Sequence, residues 1–183
     1  MTPSGTISGV VGPMFAGKTT AMIRDVEAAR LMGGAVQIFR HTIDDRFSED
    51  CIVSHDGHRL GGVELVSCAK DCIVDGKTEW VFIDEAQFFD IDIAVAIERW
   101  ALDGKNVRFY GLDLDSAGRT FETSAQLVAV ADVVTKLRGQ CAHCGADSMY
   151  SQRAADVDQG VRVLVGAAEC YTPVCRSCFQ RPT

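Results

Sequence analysis

The run Gly12-Pro13-Met14-Phe15-Ala16-Gly17-Lys18-Thr19 sets two glycines, a lysine and a hydroxyl at the spacing G-x-x-x-x-G-K-[ST], the pattern of a phosphate-binding loop. It follows the apolar run Ile7–Val11 and opens the helix-like run Thr20–Met32, so strand, loop and helix come in the required order. Glycines let backbone N–H groups curl around an anion, and the helix start adds its positive dipole end. Lys18 is placed to reach the β- and γ-phosphates of ATP, and the Thr19 hydroxyl to sit on Mg²⁺.

A second apolar run, Trp80-Val81-Phe82-Ile83, ends in two carboxylates, Asp84 and Glu85. An acid at such a strand end faces the metal–phosphate site beside the loop. Asp84 is assigned to the metal or its waters. Glu85 is assigned as catalytic base, acting on a water in an ATPase or on a substrate hydroxyl in a kinase. Phosphoryl transfer also asks for a cation on the moving group, and Arg46 in the polar stretch 41–62 is the candidate. Gly111-Leu112-Asp113-Leu114-Asp115-Ser116-Ala117-Gly118-Arg119 follows another apolar run, and reads either as a ligand contact or as an acidic turn.

Cys141-Ala-His-Cys144 and Cys175-Arg-Ser-Cys178 are two C-x-x-C knuckles, whose four thiolates suit tetrahedral Zn²⁺. With no open ligand position, except one that His143 could fill, the metal is assigned a structural role. A redox dithiol is the competing reading. Cys51, Cys68, Cys72 and Cys170 are read as buried thiols or bystanders, and His55 and His58 as polar surface residues.

These residues need a scaffold. Four runs, Ile7–Val11, Ala35–Phe39, Trp80–Ile83 and Val107–Leu112, have the near-continuous apolarity of parallel strands covered on both faces. Helices are expected over Thr20–Met32, with Met22, Ile23, Val26, Ala29 and Met32 on one stripe, and over Ile91–Leu102, stopped by Gly104. Alternating elements give an α/β fold, a P-loop (RecA-like) parallel sheet with helices on both faces, and place ligands beyond the strands' C-terminal ends. Residues 41–62 are expected to form an irregular loop near the site. Composition shifts near Gly139, dividing the chain into a nucleotide-binding domain, 1–138, and a small zinc-binding domain, 139–183, with β-like runs at Ser148–Arg153 and Val161–Val165.

The 183 residues are 47% hydrophobic and carry a net charge of −7 with eight cysteines. The acidity disfavours non-specific nucleic-acid binding, which needs a basic surface. No apolar run is long enough to span a bilayer, and the N-terminus lacks the parts of a secretory leader, so a cytoplasmic protein is expected.

Taken together, Gly12–Thr20, Phe82-Ile-Asp-Glu-Ala-Gln-Phe-Phe89, Gly111–Asp115, Val133–Leu137, both knuckles and Val163–Cys178 resemble the type II, zinc-containing, thymidine kinase family. The resemblance implies transfer of the ATP γ-phosphate to the 5′-hydroxyl of thymidine or deoxyuridine, with Mg²⁺. It implies that Glu85 is the base, that Asp44 and Arg46 lie near the phosphates, and that Gln87 belongs to the nucleotide-contact segment. Met14, Phe88 and Leu112 match residues lining the nucleoside pocket, and Ser151 matches a Thr or Ser near the base. Val163-Leu164-Val165-Gly166 match a lasso loop whose backbone reads the pyrimidine edge, and Tyr171 matches a tyrosine closing the pocket. A homotetramer or dimer is the family's usual assembly, and feedback inhibition by the end-product triphosphate is common in it.

Three positions depart from the family pattern. Ser116 stands where a stacking Phe is usual, Gly166-Ala167 replaces Gly-Gly, and Ala86 replaces a frequent Gly. Phe121 is the ring that could substitute at Ser116. A deoxynucleoside kinase of altered base preference, a nucleic-acid-associated P-loop ATPase, and a nucleoside-binding protein without turnover are the other readings.

Overall fold

The computed structural model describes residues 4–43, 51–53, 57–154 and 170–181. Its centre is a six-stranded, all-parallel sheet in the order β5-β2-β6-β7-β1-β8. The strands are β1 (Ile7–Val11), β2 (Val36–His41), β5 (Val63–Val66), β6 (Trp80–Asp84), β7 (Asn106–Gly111) and β8 (Val133–Lys136). Successive strand residues point to opposite faces, and both faces are apolar. Val10, Ile38, Phe82 and Tyr110 face the helix α1 (Lys18–Leu31). Val11, Phe39, Ile83 and Phe109 face α2 (Asp92–Leu102) and α3 (Glu122–Val130). This double cover is why the four core strands read as near-continuous apolar runs.

The α1 stripe is buried at Met22, Ile23, Val26 and Ala29, but Met32 caps the helix and is exposed. Its stripe position is therefore corrected: the helix stops at Leu31, and Gly33 turns the chain away with φ 82°. Stretch 41–62 also differs from an irregular loop. It holds an antiparallel pair, β3 (Cys51–Val53) and β4 (Arg59–Gly61), and at its centre Ile52 faces Leu60. Those two side chains are buried against the α1-side core, and that burial holds so short a pair in place.

After β8 the large sheet ends and two small antiparallel pairs follow. β9 (Gly139–Gln140) pairs with β10 (Asp147–Ser148), and β11 (Tyr150–Arg153) with β12 (Tyr171–Val174). The expected run Ser148–Arg153 is thus a strand over most of its length. Its partner is Tyr171–Val174, while Val161–Val165 lies outside the described residues. Cys141, Val174 and Cys175 form a separate small core, against which Tyr150, Cys178 and Phe179 pack.

Candidate active site

The phosphate loop is built by its backbone. Gly17 caps α1 in the left-handed region, with φ 82° and no capping side chain, and a Cβ there would meet nothing within 4 Å. The first helical N–H groups therefore have no side-chain cap, and the first turn of α1 carries no acidic residue to oppose an anion. Lys18 Nζ donates to the carbonyls of Gly12 at 3.1 Å and Pro13 at 2.8 Å, holding the ammonium over the loop. A hydroxyl from Thr19 and the buried carboxylate of Asp84 are hard oxygen donors of the kind that suits Mg²⁺.

Among the described residues, only two other than glycine have positive φ: Phe15 at 63° and Glu85 at 49°. Backbone of this kind costs about 1–3 kcal/mol and collects at functional sites. Here it marks the tip of the phosphate loop and the residue after the acidic strand end. Glu85 leads into a 3₁₀ turn, Ala86–Phe88, which carries the buried Gln87. Gln87 Nε2 donates to Glu85 Oε2 at 2.6 Å, and Gln87 Oε1 accepts from Leu112 N at 2.9 Å. Leu112 is held from its other side too, since Ser124 Oγ donates to its carbonyl at 2.6 Å.

Between these two halves stands the end of β7. Gly111 is the register partner of Val11, the last residue of β1 before the loop. On its other side a Cβ would come within 2.5 Å of Gln87 Oε1 and 3.3 Å of Ala86 N. Glycine is needed here for close approach. In the loop after β7, Asp115 Oδ1 accepts from Ala117 N at 3.0 Å and Arg119 N at 2.9 Å, and Lys136 Nζ pairs with Asp113 Oδ2 at 3.3 Å. Ser116 is half-buried in this loop, and Phe121 is buried at the cap of α3.

The C-terminal module touches the phosphate loop directly. Met14 N donates to Ser151 Oγ at 2.8 Å, and Ser151 is buried on β11. Two residues on, Arg153 lies 5.5 Å from the centroid of the Tyr171 ring and donates from Nη2 to the Tyr171 hydroxyl at 3.1 Å. Tyr150 stacks on Phe179 with centroids 4.2 Å apart, and this pair abuts Gly118 of the loop after β7.

The four knuckle cysteines converge. One sulfur from each of Cys141, Cys144, Cys175 and Cys178 lies within 4.8 Å of the others, and Cys144 and Cys175 are 3.6 Å apart. Tetrahedral zinc with Zn–S bonds of about 2.3 Å requires sulfurs about 3.8 Å apart, so the cluster fits that ion. His143 is not part of it. The Cys141 thiol is pulled down to about 6: burial resists ionisation, but N–H groups of Cys175, His143 and Cys144 together favour the thiolate. Cys178 is pushed up to about 12, chiefly through its hydrogen bonds to Cys175 and Cys144. Of the remaining cysteines, Cys72 is buried and Cys51, Cys68 and Cys170 are partly exposed.

Of the residues singled out in the sequence, the structure sets Gly12–Thr19, Asp84, Glu85, Gln87, Phe88 and Leu112 at the C-terminal ends of the neighbouring strands β1, β7 and β6, with Ser151 joined to Met14. Asp44, Arg46, His55 and Val163–Gly166 lie outside the described residues. Sequence reasoning missed Ser124 and Arg40. Arg40, fully buried on β2 in register with Asp84, donates to the Cys51 carbonyl at 3.1 Å and ties the β3–β4 pair to the sheet. A cation directly after the apolar pair Ile38-Phe39 was the signal available for it.

A family model described as thymidine kinase matches residues 5–179. A thymidine kinase of Rhodothermus sp. is 42% identical over 97% of this chain and 83% of its own length. Those of Bacteroides thetaiotaomicron and Porphyromonas gingivalis are 37% and 35% identical, again over 97% of this chain and over 88% and 86% of theirs. With nearly its whole length matched by the family model and by these relatives, the chain belongs to the thymidine kinase family.

Proposed function

We propose that this ATP-dependent kinase transfers the γ-phosphoryl group of ATP to the 5′-hydroxyl of thymidine or deoxyuridine, with Glu85 as general base. The observation that carries the reading is the placement of Glu85, strained and hydrogen-bonded, across Gly111 from the phosphate loop. Glu85 takes the hydroxyl proton as the sugar oxygen forms its bond to phosphorus, and the bond to the bridging oxygen of ADP breaks. Lys18 and the loop N–H groups hold the phosphates, and Arg46 supplies a further cation. Thr19 and Asp84 would hold Mg²⁺, which offsets charge on the phosphates when bound. Gly12, Pro13, Met14, Phe15, Ala16, Gly17, Asp44 and Gln87 complete the ATP side. Met14, Phe88, Leu112, Ser116, Ser151, Val163–Gly166 and Tyr171 form the nucleoside side.

Zn²⁺ on the four cysteines is structural in this reading. It pins both ends of the segment between the knuckles, so that residues 139–183 act as a unit closing over the nucleoside. An enzyme of nucleotide salvage in the cytoplasm, assembled as a homotetramer or dimer and acting without nucleic acid, follows from the family resemblance. Among the described residues, no helix is long and apolar enough to cross a membrane. The test is phosphate transfer from labelled ATP to a panel of deoxynucleosides. Thymidine or deoxyuridine should be the preferred acceptor, and Glu85→Gln should lose about 10²–10⁴-fold in rate. Preference for another base, or full activity without Glu85, overturns the assignment.

A further inference from the structure

We infer that Gln87 is the positioning residue of the catalytic base: its amide fixes the Glu85 carboxylate and ties it to the end of β7 at Leu112. The inference rests on the reading of Glu85 as the base. Gln87 is 5% exposed, so its amide has little water to turn to. Its two ends meet partners that demand opposite chemistry. The Glu85 carboxylate at 2.6 Å only accepts, and Leu112 N at 2.9 Å only donates. The amide therefore has one satisfactory orientation, and a flip would break both bonds.

The chain of bonds continues past the amide. Ser124 of α3 donates to the Leu112 carbonyl at 2.6 Å, so Leu112 is gripped at both backbone groups. The Glu85 carboxylate is thereby referenced to α3 and β7 rather than to its own turn alone. The bond to Glu85 is charge-assisted, the stronger class of hydrogen bond. Gly111 keeps the space for the amide, since a Cβ there would sit 2.5 Å from Gln87 Oε1. Leu112 also lies on the nucleoside side of the site, so the same amide sets the distance between the base and the wall that seats the acceptor. A general base must come within hydrogen-bond reach of its proton, and about 1 Å of misplacement can cost on the order of 10²-fold.

The test is a double-mutant cycle. Gln87→Leu keeps the bulk and removes both bonds. Gln87→Glu keeps an acceptor for Leu112 N and loses the amide donor to Glu85. Each is made in the native background and with Glu85→Gln, and kcat, both KM values and the melting temperature are measured. Gln87→Leu and Gln87→Glu should each lower kcat by about 10- to 100-fold, a larger factor than the change in KM for ATP, on whose side of the site Gln87 lies, or for the nucleoside. In the Glu85→Gln background neither should lower kcat more than about twofold further, because no base remains to be positioned. A structural amide would instead lower kcat by the same factor in both backgrounds, and that result overturns the inference. Recovery of native kcat in Gln87→Glu also overturns it, since the Leu112 bond alone would then suffice. Should Glu85→Gln by itself keep native kcat, the base assignment fails first, a result distinct from either of these.

Discussion

Ser151→Ala removes one oxygen from the strand beside the cysteine cluster, and the effect should be felt by ATP. Ser151 Oγ accepts the Met14 N–H of the phosphate loop at 2.8 Å, from a buried position on β11. Its strand is locked to the knuckles: Met149 N donates to Val174 O and Ala142 N to Pro173 O, both at 2.9 Å. An orphaned buried N–H costs about 1–3 kcal/mol. Because Met14 is only half-buried, the low end applies, about 1 kcal/mol or fivefold in affinity. Calorimetric titration of ATP without nucleoside isolates this from chemistry. The expected result is a fivefold weaker Kd for ATP, with a melting temperature lower by about 2–4 °C. Ser151→Thr, which keeps the oxygen, should bind ATP within about twofold of native. If Ser151→Ala binds ATP as tightly as native and changes only the nucleoside KM, the loop does not depend on the module and the reasoning is wrong.

Three further outcomes are expected. Gly111→Ala drives a Cβ into the Gln87 amide, and overpacking of this kind costs about 1–3 kcal/mol. Steady-state kinetics should show kcat down about tenfold or more, each 1.4 kcal/mol being a factor of ten, and native kcat would contradict the close packing. Cys175→Ser should abolish stoichiometric zinc by elemental analysis and weaken ATP binding at least as much as Ser151→Ala, since the same module carries both residues; full zinc content would show the cluster is not the site. Burial, reinforced by the charges of Asp71, Cys68, Asp90 and Glu64, pushes the Cys72 thiol up from its ordinary 9.0 to about 12. Between those values the unfolded chain gives up a proton that the folded chain keeps, so stability falls as pH rises through this window. Denaturant melts from pH 8 to 11 should show a shallower alkaline decline in Cys72→Ala, and an unchanged slope would refute the burial argument.

The core strands were legible because strands covered on both faces carry near-continuous apolar runs, as in Trp80-Val81-Phe82-Ile83. The edge strands were not. Val63–Val66 carries an exposed Glu64, and Val133–Lys136 is largely exposed, so neither shows that signature. The β3–β4 pair was hidden for another reason. Only Ile52 and Leu60 are buried in it, and their pairing across several intervening residues leaves no local period. Met32 continued the helical spacing of α1, but spacing alone does not register where a glycine turns the chain.

By itself the sequence determined the chemistry on offer: a phosphate cradle, an acidic strand end and four thiolates, each carried by a short motif whose residue types and spacing suffice. Only the tertiary structure decided how those parts bear on one another. That Gln87 joins Glu85 to Leu112 and that Ser151 props Met14 are contacts set by strand order and by the close approach at Gly111. Hydrogen bonds between residues distant in the chain depend on distances and angles that a motif does not encode, and the packed sheet supplies them.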